Sequence, residues 1–276
     1  MQYANHAAKT LAALLFALMA SAGARAENVT IPGSGNNEFV LGALARAFNA
    51  SQGAHTAVIP PSTGTAGGLR AMEERTTTIA RVGRPLKDSE RRPGVDYVAL
   101  GDDVVVFVGG AGVTVKSISA AQALDIYTGK ITNWSALGGK NAPVRAIGRE
   151  STDASRQVIA ARLPAFANVQ YADSVKVVHL DPQLIELLDR YPSSIAFINR
   201  SALGAARSKV NVLAFEGIAP TPANLASGTY PLRMSLGLIV RKEALGPAAT
   251  QFLAYIQSAA SAAIRREHGV LPARAP

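Results

Sequence analysis

Apolar positions along the chain follow two alternating rhythms, a period of two over short runs and a period near 3.6 over longer ones. Val29 and Ile31 alternate with polar residues, as in a short strand, and Gly33-Ser34-Gly35-Asn36-Asn37 follows as a turn. Val40, Leu44 and Phe48 then form one stripe, predicting a helix from about Glu38 to Ala50. Ala57 to Ile59 reads as a second strand stopped by Pro60-Pro61, and Gly64 to Gly68 leads into a helix carrying Leu69 and Met72. Ile79 to Val82 and Tyr97 to Val108 are strands, the second with Asp102-Asp103 in its middle. Ser119-Ala120-Ala121-Gln122 has the form of a capping box and predicts a helix through Leu124 and Ile126.

The alternation continues with a strand over Val144 to Ile147 and a helix from about Ala154, which Pro164 should shorten or kink. Val175 to Leu180 is a strand, and Asp181-Pro182 reads as N-cap and first residue of the next helix. Ile195 to Ile198 is apolar throughout, as a strand covered on both faces would be. Leu232, Met234, Leu236, Leu238 and Val240 alternate strictly. A last helix starts near Pro247 and should stop at Gly269. Repeated strand–turn–helix units predict an α/β protein with mainly parallel sheets. With no linker in between, two lobes would have to be joined by continuous strands, and Tyr97 to Val108 and Leu232 to Val240 are the candidates.

The first 26 residues read as an export signal. Lys9 is followed by the apolar run Leu11 to Ala20 and the small-x-small site Ala24-Arg25-Ala26. That run is about half the length a spanning helix needs. The mature chain is therefore expected from Glu27 onward, free in the periplasm. There is no cysteine, which removes disulfides, thiolate metal sites and cysteine nucleophiles. Removing Lys9 and Arg25 lowers the net charge from +9 to +7. The basic residues are scattered and aromatics are only 6%, which offers no nucleic-acid arm and little for base stacking. The balance suits an anionic small ligand.

Four loops place small polar residues between a strand and a helix: Gly33 to Asn37, Pro61 to Gly68, Val82 to Leu86 and Gly148 to Arg156. Such turns present unpaired backbone N–H groups at the positive end of a helix dipole and favour oxyanions. Ser34, Asn36, Asn37, Thr65, Arg84, Arg149, Asp153, Ala154 and Ser155 on these loops are the candidate ligand contacts. The guanidinium of Arg149, directly after a predicted strand, matches an oxyanion; Arg156 fits either a ligand contact or a surface residue. Asp153 has two readings. It caps a helix, or it accepts a proton carried by the anion, which hydrogen phosphate has and sulfate lacks at neutral pH. Asp102-Asp103 suits a hinge or a salt-bridged strand better than a paired-acid site. Trp134 and Tyr127 read as core. The histidines lack metal-ligand spacing, and neither a P-loop lysine nor a nucleophile elbow occurs. No metal, cofactor or catalytic group is expected.

The chain resembles the periplasmic phosphate-binding proteins of ABC phosphate transporters. The stretches that carry the resemblance are Gly64 to Leu69, Val82 to Glu90, Asp125-Ile126-Tyr127-Thr128-Gly129-Lys130-Ile131-Thr132-Asn133-Trp134 and Ala223 to Leu232. It implies a two-lobed type II fold with two crossover strands and the anion held between the lobes. On this reading residues 27–106 and 236–276 form lobe I, and 107–235 form lobe II. It further implies binding without catalysis by a monomer that delivers its cargo to a membrane ABC permease. Asn37 falls where the family uses a threonine, Thr65 replaces a serine, and Arg149 matches the binding arginine. Gly83-Arg84 stands where the family has an aspartate, and Asp153-Ala154-Ser155 where it has Ser-Gly-Thr. The readings left open are another oxyanion such as molybdate, tungstate or sulfate, a phosphate sensor, and an exported phosphatase.

Overall fold

The protein is described by a computed structural model covering residues 26–207 and 209–273. The expected signal peptide, apart from Ala26, lies outside the described residues. Two parallel strands, β1 (Asn28–Thr30) and β2 (Thr56–Val58), flank helix α1 (Glu38–Gln52). Helix α2 (Gly64–Glu73) leads to β3 (Ile79–Val82), and β4 (Asp96–Gly109) is the longest strand. A two-residue strand β5 (Ser117–Ile118), α3 (Ala120–Tyr127), β6 (Arg145–Arg149), α4 (Ala154–Arg162) and β7 (Lys176–Val178) follow. Then come α5 (Asp181–Arg190), β8 (Ser194–Asn199), the short β9 (Asn211–Val212) and β10 (Ala214–Phe215), and α6 (Pro222–Ser227). The chain closes with β11 (Arg233–Val240), α7 (Pro247–Ile256) and α8 (Ala259–Glu267).

The main sheet has the order β3-β11-β4-β8-β6-β7, with β9 also paired to β4. It is mixed, contrary to the expectation of mainly parallel pairing. β6 runs parallel to β7 and β8, but β11 is antiparallel to β3 and β4, and β4 is antiparallel to β8. The cause is the pair of long crossing strands, which enter between parallel units in the opposite sense. β4 changes partner midway: Asp96 to Val104 pair with β11, and Val105 to Gly109 pair with β8. Its residues from Leu100 onward are all buried, as β-branched residues covered on both faces should be.

One contiguous core runs through the molecule. Phe48 packs edge-on against Phe252 at 5.3 Å, joining α1 to α7. Elsewhere in the same core Tyr127 meets Phe166 and Phe197 at 5.4 and 5.5 Å. The Tyr127 hydroxyl donates to Ile147 O and the Trp134 indole to Ser193 O, so both are core residues with their polar ends satisfied. The capping box forms as the sequence predicts, with Ser119 Oγ accepting from Gln122 N and Gln122 Oε1 accepting from Ser119 N. α4 ends at Arg162, before Pro164. The expected final helix is two helices, because Ser258 Oγ accepts from Ser261 N and caps a new start.

Candidate functional site

Four helices begin around one cavity of about 280 Å³. Gly35 and Asn36 line it ahead of α1, Thr63 to Ala66 open α2, Thr152 to Ala154 lead into α4, and His179 and Leu180 precede α5. The first-turn amides of a helix have no intrahelical acceptor, so four positive helix ends share one space. The turn before α1 requires a glycine. Gly33 has φ +132°, and a Cβ there would lie 2.1 Å from Arg81 O.

Arg149 ends β6 and is buried. Its Nη2 lies 2.8 Å from Asp153 Oδ2 and donates to His179 O at 3.0 Å, while Nη1 pairs with Asp181. Asp153 uses its other oxygen, Oδ1, to accept from Arg156 N at 3.0 Å and cap α4. Burial raises the Asp153 pKa, opposed by Arg149 and reinforced by Asp181. Burial alone would lower the Arg149 pKa, yet Asp181 and Asp153 outweigh it and hold the guanidinium charged. The group has one more carboxylate than guanidinium, and Asp181 Oδ2 is buried without a hydrogen-bond partner. A single proton would balance the charges.

Ser34, Asn36, Thr65, Arg149, Asp153 and Ala154 line the cavity; Asn37, Arg84 and Ser155 do not. The Asn37 amide donates to Val82 O and Gly237 O, inside the fold. Arg84 is held by Glu90 through two bonds of 2.6 and 2.7 Å and lines a separate pocket with Arg162 and Arg233. Ser155 Oγ accepts from Asn36 Nδ2 at 2.9 Å and ties the start of α4 to the loop before α1. Asn199 extends that link, donating to Asn36 O, to Ser201 Oγ and to the buried Asp103. Asp102 instead pairs with Arg233. Arg156 turns away from the cavity, donating to Arg149 O and Val169 O, and its guanidinium lies over the Tyr171 ring. Asp181 is a participant that its sequence position disguises. The N-cap is Leu180, and the Asp181 side chain turns to Arg149 instead of capping α5.

A family model described as "PBP superfamily domain" matches residues 19–260. The chain belongs to the PBP superfamily. Within this superfamily it is 24% identical over 226 residues to the phosphate-binding protein PstS of Borreliella burgdorferi, covering 79% of this chain and 80% of that one. It is 29% identical over 175 residues to PstS of Bacillus subtilis, covering 62% and 56%. A protein of Clostridium perfringens solved with bound phosphate superposes with a TM-score of 0.78 at 23% identity, covering 90% of this chain and all of that one. These likenesses establish the two-lobed α/β fold of PBP proteins. Among the described residues no helix is long and apolar enough to cross a membrane, and no cluster of His, Asp or Glu could hold a metal ion.

Proposed function

We propose that this chain is an exported receptor that captures an inorganic oxyanion, phosphate first, and hands it to an ABC importer. The carrying observation is the convergence of four helix starts and Arg149 on one cavity, a ready-made site for a tetrahedral anion. The names of the relatives support phosphate, and the leader ending at Ala26 supports export to the periplasm. Division into 27–106 with 236–276 and 107–235 is supported by the change of partner along β4 next to Val105. The extra carboxylate favours an anion that carries a proton, such as hydrogen phosphate or arsenate, over sulfate, molybdate and tungstate.

A thermal-shift screen of these five anions, followed by calorimetry, tests the reading. Phosphate at a hundredfold excess over its Kd should add about 2.7 kcal/mol of apparent stability. An Arg149→Met variant should lose this shift. No shift with any of the five would overturn the reading, and a preference for molybdate or tungstate would transfer it to that anion.

A further inference from the structure

The side chain of Arg81 does not line the cavity. Arg81 lies on β3 with its side chain wholly buried. Its Nε donates to Ser34 O at 2.6 Å, Nη1 to Ile31 O at 2.8 Å and Nη2 to Pro60 O at 2.6 Å, with Glu38 Oε2 at 3.3 Å from Nη2. Three partners are thus carbonyls, and they come from two separate loops, one leading to α1 and one to α2. In the β1–β2 register the next donor toward Ile31 O would be the N–H of Pro60, which proline lacks, so that carbonyl needs another donor. The backbone of Arg81 joins in, its N–H donating to Pro32 O and its carbonyl accepting from Ser34 N. A trans peptide is planar with C=O and N–H opposed. Turning the Ser34 carbonyl onto the guanidinium therefore turns the Gly35 amide away from it, and Gly35 lines the cavity. Burial pulls the Arg81 pKa down to about 10, with Glu38 opposing, so the group stays charged at neutral pH.

We propose that Arg81 is a positioning residue for the cavity: one guanidinium clamps the carbonyls of both first-lobe loops, so that the amide ends of α1 and α2 meet the ligand as a single preformed surface. This rests on the reading of the cavity as an oxyanion site. The clamp removes the ordering that two independent loops would otherwise undergo on binding. The compact ammonium of a lysine keeps the charge but lacks the fork that reaches three carbonyls.

The test compares wild type with Arg81→Met, Arg81→Lys and a control, Phe252→Leu, which loosens the same lobe at the α1–α7 contact and removes no hydrogen bond from the loops. Phosphate affinity by calorimetry and hydrogen exchange of residues 33–37 and 60–66 are read beside the Tm. Arg81→Met should weaken phosphate by about tenfold or more, Arg81→Lys should recover part of that loss, and both loops should exchange faster together. Phe252→Leu should lower the Tm with affinity and loop exchange unchanged. The proposal is overturned if Arg81→Met binds like wild type, or if Phe252→Leu weakens binding as much for the same loss of Tm. If Arg81→Met does not fold, Arg81→Lys decides by the same two readouts. If wild type binds none of the anions, the oxyanion reading falls and loop exchange alone decides the clamp, which is lost if the two loops do not loosen together.

Discussion

Gly83 offers a way to test how the two lobes meet. It lies on the loop after β3, opposite the start of α4. A methyl group at this position would sit 2.9 Å from Ser34 Oγ, 3.0 Å from Asn36 Oδ1 and 3.1 Å from Ala154 Cβ. Its φ is outside the left-handed region, so Gly83→Ala adds no backbone strain. The cost is then steric and divides between Ser34 and Asn36, on the same side of the cleft as Gly83, and Ala154 across it. The neighbours are poorly placed to yield: Ser34 Oγ donates to Asn36 Oδ1 at 3.0 Å, and Asn36 Nδ2 is held by Ser155 and Asn199. Overpacking of this kind costs about 1–3 kcal/mol. Only the share that falls on Ala154 is relieved by separating the lobes, so the open population rises by at most about 5- to 150-fold. Small-angle scattering of the ligand-free variant should show a larger radius of gyration, and phosphate affinity should fall by a similar factor. A variant with unchanged radius and affinity but a lower Tm would refute the reasoning, because the strain would then be absorbed within one lobe.

Three further outcomes are expected. Asp153→Asn removes an ionisable acceptor while keeping a capping oxygen, so discrimination between phosphate and sulfate should shrink, read by calorimetry with both anions. Arg84 pulls the Glu90 carboxyl down from 4.5 to about 2; the stability this pair adds is present above pH 4.5 and lost as pH falls through 2, so Glu90→Gln should flatten the fall in Tm over that window. Ser258→Ala removes the cap of α8 and should cost about 1 kcal/mol, seen in denaturant unfolding as a lower midpoint at constant m-value.

Elements with a strong local rhythm were legible in the sequence. The stripe of Val40, Leu44 and Phe48 and the strict alternation from Leu232 to Val240 place α1 and β11 within a residue or two. Three of the four polar loops border the cavity, and Arg149 follows from its place at a strand end. Contacts across long sequence separations were not legible. Asn36 and Asn199 are 163 residues apart, and nothing local marks them as partners. Asp181 carries the pattern of a helix cap, Asp-Pro, and only the fold brings it against Arg149, 32 residues earlier. Arg84 looked available because Glu90, six residues on, gave no sign that it would claim the guanidinium. Strand direction failed for a related reason, since periodicity reports which face is buried and says nothing of which way a neighbour runs.

If the proposed receptor opens to release its anion, the partner exchange along β4 shapes how it opens. Near the exchange, Val104 N is tied to Asp103 and Val105 N to Leu232 O. Twist between paired strands varies over tens of degrees, so parting the lobes of the proposed receptor would wind this shared ribbon. On the proposed function, the dwell time of a bound anion would then follow the stiffness of the sheet's own centre, and softening that centre would shorten it.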